Sequence, residues 1–458
     1  MSNRLATPVS IFWFRRDLRF EDNTGLYEAL KASKKSGAAV LPIFIFDREI
    51  LSRFPDHDDR RVAFLHKTLT GMKAHLKSLG SDLWVEHGSP SEVFARLRKT
   101  FNVQSLTFNR DYEPSAIARD EEIRRLFTSD QLPVTDFKDH VVFERLEVCK
   151  DDGKPYTVYT PFAKKWRAAL GSKALDKFPS EKHLDQLWKR PTTFGSGGDI
   201  PSLSELGFPD APLDFDFPPL KVKLRILQDY QAQRDFPAIE GTSHVGLHLR
   251  FGTVSVRQMT QLARETSDTW YGELIWREFF IQIMTHFPHV VKGAFRPEYD
   301  KIQWRKDKKE FQRWCDGATG VPIVDAGMRE LNSTGFMHNR VRMITASFLT
   351  KSLLIDWRWG EEYFARKLLD YDLASNNGNW QWVAGCGCDA APYFRIFNPE
   401  LQVKRFDREG AYIKTWVPEA DSIRYPKPMV DHRTSRMRTL AEYARALGKK
   451  PPRTDQDG

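Results

Sequence analysis

The sequence predicts an α/β fold in which an N-terminal parallel-sheet domain precedes a large all-helical domain. In the first 135 residues, short apolar runs of strand length alternate with amphipathic helices, which is typical of parallel α/β sheets. From about residue 221 onward, apolar residues recur at three- and four-residue steps in one segment after another, which indicates helices. A chain of 458 residues is long enough for two such domains.

The first domain, residues 1–135, contains five predicted strands. They lie at Val9–Phe14, Ala38–Asp47, Asp82–Gly88, Ser105–Asp111 and Leu132–Phe137. One helix is expected between the first two strands and another at residues 62–79, where apolar residues follow the helical period. This order of elements predicts a Rossmann-like sheet. Because no G-x-G-x-x-G sequence opens the first helix, the sheet lacks the glycine-rich turn that binds dinucleotides.

Three further segments follow the sheet domain. Residues 136–220 are rich in proline, glycine and serine and are predicted to form an interdomain connector. The helical domain is expected at 221–430, and a short basic tail at 431–458. Inside the helical domain, the NNGN sequence at residues 376–379 is predicted to form a turn, because asparagine and glycine tolerate left-handed backbone.

Composition restricts the classes of function. A net charge of +9 with 13% aromatic residues suits a polyanionic partner whose bases are exposed. No apolar run reaches the roughly 18 residues of a membrane span, and the N-terminus enters a strand without a signal segment, which predicts a cytoplasmic protein. Four scattered cysteines are too few for a disulfide framework, and the Cys386–Cys388 pair lacks further ligands, so no metal site is expected.

The stretch Asp356–Pro399 is unusually rich in tryptophan. It contains four of the thirteen tryptophans, namely Trp357, Trp359, Trp380 and Trp382. Each indole needs a large pocket and a partner for its N–H group, so a cluster of this kind is costly to place. By itself the cluster fits either the core of a helical domain or a functional site.

Five motifs occur in order along the chain. They are WFRRDLRFEDN near the N-terminus, EGTSHVGLHLRFGTVS at 240–255, ELIWREFF at 273–280, GFMHNRVRMITASFLTK at 335–351, and NNGNWQW through YFRIFNP at 376–399. Through these motifs the chain resembles the photolyase/cryptochrome family of flavoproteins over almost its whole length. Several long motifs in the same order make this resemblance specific.

The resemblance implies that the helical domain binds FAD. The diphosphate side would lie near Tyr230, Thr242, Ser243, His244, Val245 and Gly246. Backbone N–H groups at a helix start suit an anion there, although the family usually has serine at the position of Gly246. The flavin ring and ribityl would be surrounded by Trp270, Asn339, Arg342, Asp370, Asp372 and Asn376. Arg342 and Asp370 are expected to form an ion pair, and Asn376 is expected to face flavin N5.

The implied reaction is light-driven repair of cyclobutane pyrimidine dimers in DNA. Excited, reduced FAD would donate an electron to the dimer, the two linking carbon–carbon bonds would break, and the electron would return. A dimer cannot react inside the base stack and has to be flipped out into a pocket. The family's pocket positions correspond here to Glu273, Trp276, Asn339, Met343 and Trp382. Relatives that repair (6-4) lesions carry a histidine pair where this chain has Asn339 and Met343, which favours the cyclobutane dimer.

Two further sets of residues follow from the resemblance. Trp380, Trp357 and Trp304 match a tryptophan chain that carries electrons to the flavin, whereas Trp359 and Trp314 are assigned to packing. The positions that grip DNA phosphates in relatives are held by Arg234, Arg277, Arg340, Arg395 and Lys404. The expected partner is therefore UV-damaged DNA, and the protein is expected to be a monomer.

A second, antenna chromophore stays open. Folate-binding relatives carry an Asn-Glu pair after the Tyr-Glu element of the first domain, but Tyr112 and Glu113 are followed here by Pro114 and Ser115. Folate is therefore disfavoured, and a deazaflavin, a second flavin or an empty site remain. The alternative function is a cryptochrome-type blue-light photoreceptor without repair activity. The complete dimer pocket and the short tail favour repair, because signalling members often carry long extensions.

Overall fold

The structure is a computed structural model that describes residues 7–53, 59–171, 173–191, 197–209, 216–390 and 392–450. The expected tail at 431–458 lies outside the described residues from 451 onward. The chain divides into two compact units, and neither is a continuous segment. The first comprises Met1–Glu144, Ala169–Leu220 and Val245–Leu262, and the second comprises Arg145–Ala168, Lys221–His244 and Ala263–Gly458.

The first unit contains a five-stranded parallel sheet. Its strands are β1 (Pro8–Phe14), β2 (Ala39–Asp47), β3 (Trp84–Gly88), β4 (Asn102–Asn109) and β5 (Val134–Phe137), in the order β3-β2-β1-β4-β5. Ile11 of the central strand pairs with Leu41 on one side and Leu106 on the other. These three side chains are fully buried, which is why the strands have continuous apolar sequences. The predicted α/β class is confirmed.

Nineteen α-helices occur in the described residues. They are α1 (Thr24–Ser36), α2 (Arg48–Leu51), α3 (Arg60–Ser78), α4 (Pro90–Thr100), α5 (Pro114–Thr128), α6 (Tyr159–Ala169), α7 (Leu224–Gln228), α8 (Tyr230–Gln233), α9 (Gly246–Phe251), α10 (Val256–Thr266), α11 (Asp268–His286), α12 (Lys308–Cys315), α13 (Pro322–Thr334), α14 (Asn339–Ser347), α15 (Trp357–Lys367), α16 (Leu373–Ala384), α17 (Pro399–Phe406), α18 (Ala411–Trp416) and α19 (His432–Ala446). Short 3-10 helices lie at Ser180–Gln186, Pro288–Val291 and Pro297–Lys301, and a π-helical turn at Phe348–Ser352. Within these described ranges, no helix has the length and apolar character needed to cross a membrane.

The predicted turn at residues 376–379 is wrong, because these residues lie inside α16. A side chain at Gly378 would overlap the ring of Phe280, so this glycine allows α16 to pack closely on α11. The asparagine amides bond within the helical unit: Asn377 Nδ2 donates to the Val290 carbonyl at 3.1 Å, and Asn379 Nδ2 to the Ser375 carbonyl at 2.8 Å. Tertiary packing therefore outweighs the low helix propensity of asparagine and glycine.

The C-terminal segment differs from the tail expected at 431–458. Residues 432–446 form α19, in which Leu440 and Tyr443 are buried. Tyr443 Oη donates to the carbonyl of Ala384, the last residue of α16, at 2.8 Å. Lys351 Nζ donates to the same carbonyl at 3.0 Å, so two buried side chains hold the C-terminal end of this helix. The other side of α19 is exposed and carries basic residues, which is why the sequence of this segment suggests a basic tail.

Candidate active site

A cavity of about 420 Å³ lies in the helical unit, within the size range of small-molecule sites. It brings together all five residues expected to contact the dimer. The predicted site residues that line it are Arg234, Glu273, Trp276, Arg277, Asn339, Arg342, Met343, Asp370, Asp372, Asn376, Trp380 and Trp382. They come from α11, α14 and α16, from the segment before α16, and from the residue that follows α8. Residues far apart in sequence thus form one site.

Further lining residues were not predicted from the sequence. They include Phe280, Ala346, Ser375, Asn379 and Val383. Phe280, Ala346, Asn379 and Val383 lie three or four positions from a predicted residue on the same helix, and Ser375 lies three positions after Asp372, the N-cap of α16. Residues at this spacing share a helix face, so extending the motifs by helical periodicity finds them.

An ion pair closes one side of the cavity. Arg342 donates from Nη1 and Nη2 to the two carboxylate oxygens of Asp370 at 3.1 and 2.9 Å. Its Nε also donates to the carbonyl of Met337 at 2.7 Å. About a quarter of each charged side chain is exposed. Because Arg342 makes both contacts, it fixes the turn before α14 and orients the Asp370 carboxylate.

Asn376 lines the cavity, and its side-chain amide nitrogen is bonded to Glu361. Its Nδ2 donates to Glu361 twice, to the backbone carbonyl at 3.1 Å and to Oε1 at 2.8 Å, and the residue is largely buried. Burial raises the pKa of Glu361 to about 7, and the amide of Asn376 opposes this shift. A carboxyl group that titrates near neutrality therefore sets the orientation of the amide. Glu361 was not predicted, since its role depends on a contact between different helices.

The raised pKa of Glu361 predicts a pH dependence of stability. The folded protein binds this proton more tightly than the unfolded chain, so the free energy of unfolding should fall as pH rises from about 4.5 to about 7. Glu361→Gln, which keeps the oxygen that accepts from Asn376, should flatten that part of the profile by up to ~2 kcal/mol. Urea midpoints at several pH values measure the effect. Glu362→Gln, on the exposed neighbour, is the control, and an identical change in both variants would contradict the assignment.

Another part of the cavity contains a carboxylate with a cationic partner. Glu273 forms an ion pair with Arg234. Burial raises the pKa of Glu273, while Arg234 counteracts the shift. Arg234 was expected to contact DNA phosphates; here it holds Glu273. Met343 and Trp382 line the same space, with Met343 one turn of α14 beyond Asn339.

The other residues expected at DNA phosphates lie in different environments. Arg340 Nη2 pairs with Asp235 at 2.7 Å, and its guanidinium lies over the ring of Phe406. Arg395 and Lys404 are exposed to solvent. Arg277 lines the cavity.

The second part of the expected flavin set lies outside the lining of this cavity. Trp270 is buried, and its indole N–H donates to Ser243 Oγ at 3.3 Å. The ring of His244 stacks on Phe336 at 4.0 Å, and Arg342 lies over the same phenyl ring. Thr242, Val245 and Gly246 belong to the same segment, which leads into α9, and Tyr230 begins α8. Ser243 and His244 are thus tied to Trp270 and to the segment before α14.

The three tryptophans of the expected electron chain share one apolar cluster. Trp380 and Trp357 are buried in it, and the partly exposed Trp304 packs against it. Trp380 also lines the cavity, whereas Trp357 and Trp304 are not among its lining residues. Trp314, assigned to packing, is fully buried with its ring centroid 6.2 Å from that of Trp380.

The chemistry of the cavity fits a flavin. Aromatic walls suit a planar ring, and the Asn376 carbonyl oxygen and the Arg342–Asp370 pair offer both acceptors and donors to polar ring edges. The remaining open walls, Trp276 and Trp382, suit a second flat apolar group.

Comparison with known proteins gives consistent results. The model for the FAD-binding domain of DNA photolyase matches residues 270–424, and the DNA photolyase model matches residues 10–182. The chain is 36% identical to deoxyribodipyrimidine photo-lyase of Halobacterium salinarum over 488 residues, covering 96% of this chain and 100% of the relative. It is also 36% identical to the Escherichia coli protein of that name over 482 residues, covering 95% and 98%.

Three solved structures are similar over nearly the full chain. A class III photolyase from Agrobacterium tumefaciens has a TM-score of 0.82 at 33% identity, covering 98% of this chain and 100% of that chain. A cryptochrome from Synechocystis has a TM-score of 0.81 at 27% identity, covering 96% and 99%. An archaeal photolyase from Sulfolobus tokodaii, described with two FAD molecules, has a TM-score of 0.77 at 33% identity, covering 95% and 99%.

Proposed function

Because this chain belongs to the DNA photolyase family and contains its FAD-binding domain, we propose that it is a light-driven repair enzyme for cyclobutane pyrimidine dimers in DNA. When bound, reduced FAD supplies the light-excited electron that splits the dimer. Arg342, Asp370, Asp372 and Asn376 hold it in the cavity, together with Asn339. Tyr230, Trp270 and residues 242–244 would complete its site.

The choice of lesion rests on one observation. Asn339 and Met343 lie one helical turn apart on α14 and line the same cavity. A histidine pair at such positions could donate protons to a (6-4) lesion, whereas an amide and a thioether cannot. The amide can instead hydrogen-bond a pyrimidine edge, and the flexible thioether adapts to a bulky apolar dimer.

The other pocket residues have separable tasks in this proposal. Trp276 and Trp382 stack on the extruded pyrimidine pair and exclude water from it. The carboxyl group of Glu273, held by Arg234, hydrogen-bonds the base edge.

Repair assays on two lesions test the proposal. The reduced protein is illuminated with oligonucleotides that contain either a cyclobutane dimer or a (6-4) product, each with a dark control. We expect thymines to be restored from the dimer only. No restored thymine above the dark control would reject repair and favour the cryptochrome-type photoreceptor. Restoration from the (6-4) product would reject the lesion assignment.

Trp304→Phe tests the tryptophan chain. Phenylalanine is much harder to oxidise than tryptophan, so the variant interrupts the proposed path of electrons through Trp304, Trp357 and Trp380. The rate of flavin photoreduction should therefore fall by about tenfold or more. Dimer repair by chemically reduced protein should remain nearly unchanged. Absorbance of oxidised flavin under illumination measures the first quantity. Trp188→Phe, in the sheet unit, is the control, and equal loss of both activities in Trp304→Phe would oppose the assignment.

Salt titration tests the DNA contacts. Lys404 is exposed at the last turn of α17, so Lys404→Ala should weaken binding to damaged and undamaged DNA alike and lower the slope of log K against log salt by about 1. Fluorescence anisotropy at several salt concentrations measures both quantities. Lys99→Ala, on α4, should leave the slope unchanged. A slope that does not change in Lys404→Ala would remove this residue from the interface.

A cavity in the sheet unit supports a second chromophore. It measures about 420 Å³ and lies beyond the carboxyl ends of the parallel strands, with Phe14, Phe46 and Asp111 in its lining. Ligands of open parallel sheets bind at this edge, where the strand order reverses between β1 and β4. We infer a flavin-type antenna here. Equilibrium dialysis with excess riboflavin should give one bound flavin beyond the FAD, and none would leave this cavity without a chromophore of that type.

A further inference from the structure

Trp276 is stacked on Tyr159, the first residue of α6. Their ring centroids are 3.6 Å apart and the rings are inclined by only 4°. Trp276 lines the cavity, whereas Tyr159 is not part of its lining. The tyrosine therefore covers the indole from outside the cavity, while Phe280, which lines the cavity, meets the same indole at 5.5 Å and 30°.

Two hydrogen bonds hold Tyr159 in this position. Its hydroxyl donates to the carbonyl of Gly272 at 2.9 Å, one helical turn before Trp276 on α11. Its backbone N–H donates to Asp389 Oδ2 at 2.9 Å, and Asp389 lies shortly after α16, the helix that carries Trp382. Tyr159 is thus bonded to the chain segments of both tryptophan walls.

The parallel stack orients the Trp276 ring in addition to packing against it. Aromatic pairs in protein cores usually meet edge to face or offset, as Phe279 does with Trp276 at 5.6 Å and 81°. The parallel tyrosine prevents the indole from tilting out of its plane. A base that stacks on an aromatic side chain needs that ring in a fixed plane.

We propose that Tyr159 is a positioning residue of the lesion pocket, which fixes the plane of Trp276 so that the part of the indole lining the cavity can receive the extruded pyrimidine pair. This inference rests on the proposed function, since it takes Trp276 as a wall for the dimer. Tyr159 acts only through the indole and touches neither the flavin nor the lesion. Its removal should therefore weaken recognition of damage and leave flavin content unchanged.

Dark binding measurements separate recognition from photochemistry. The Kd is measured for a dimer-containing duplex and for the same duplex without damage, and their ratio gives the discrimination. Tyr159→Leu should lower this ratio about fivefold, the loss of one aromatic pair, with an unchanged Kd for undamaged DNA and a full flavin complement. Tyr159→Phe keeps the stack and should stay within about twofold of wild type. Tyr156→Leu is the matched control, because its ring contacts Phe162 and lies outside the stack with Trp276.

A double-mutant comparison makes the test specific. In a Trp276→Ala background, Tyr159→Leu should cause no further loss of discrimination, because there is no indole to orient. If Tyr159→Leu does not fold, Tyr159→His replaces it and should lower the ratio about twofold. Unchanged discrimination in a folded variant, or an equal loss without Trp276, would overturn the proposal. Failure of the proposed function is distinguishable, since wild-type protein would then show no preference for dimer-containing DNA.

Discussion

Arg342→Ala is expected to yield a folded protein that retains little FAD. The substitution removes both hydrogen bonds to the Asp370 carboxylate and the bond from Nε to the Met337 carbonyl. It leaves the charge of Asp370 unpaired beside the cavity. Because this pair is partly exposed, we expect a loss of ~2 kcal/mol in stability, below the cost for a fully buried pair. The affinity for FAD should fall by about tenfold or more.

Flavin-to-protein absorbance ratios after gel filtration and urea midpoints measure the two effects. Arg342→Lys keeps the charge but cannot bond both carboxylate oxygens in the same plane, so its flavin content should be intermediate. Arg366→Ala is the control, because this arginine pairs with Glu362 at the surface, and it should change stability by less than ~1 kcal/mol. A full flavin complement in Arg342→Ala would show that the pair is dispensable for the cofactor.

Gly360→Ala should disturb both the fold and the electron chain. A side chain at Gly360 of α15 would overlap the ring of Trp380 and meet Leu349 at 2.6 Å. Both neighbours are buried, so neither can move into solvent. Overpacking of this kind costs ~1–3 kcal/mol, and we expect the upper end of that range. Because Trp380 also lines the cavity, a displaced indole should slow photoreduction of the flavin.

The same substitution at Gly71 provides the matched control. Gly71 lies inside α3, and a side chain there would meet no neighbouring atom within 4 Å. Gly71→Ala should be neutral or stabilise the protein by up to ~1 kcal/mol, since alanine favours helices. Thermal unfolding of both variants measures the contrast. Equal effects at the two positions would mean that Gly360 is not tightly packed against Trp380.

Secondary structure can be predicted from the sequence where a single physical requirement, such as burial on both faces of a sheet, determines the residue types. The strands were located because residues buried on both faces of a parallel sheet must be apolar, as Ile11 and Leu41 are. The NNGN segment suggests a turn, whereas it lies inside α16, because Gly378 is required by the approach of Phe280, which is a tertiary contact. Asn377 likewise bonds to the Val290 carbonyl, so these two residues serve the packing of α16 against its neighbours.

The candidate site also contains residues that the sequence predicts and residues that it does not. Arg342 and the residues proposed for the dimer pocket lie inside motifs that can be read along the chain. Glu361 and Tyr159 were missed, because their roles arise only from contacts between distant segments. Tyr159 reaches Gly272 across 113 sequence positions. No local pattern marks a tyrosine as the partner of a tryptophan so far away.

The discontinuity of both units constrains how the chain is synthesised. When the ribosome has released Glu144, the first unit still lacks its segments Ala169–Leu220 and Val245–Leu262. At about 5–20 residues per second, their completion follows only after a delay on the order of ten seconds. During that interval the nascent sheet lacks part of its own unit and is open to chaperones. Expression of the N-terminal 144 residues alone would reproduce that incomplete state, so domain fragments of this protein should be cut with all three segments retained.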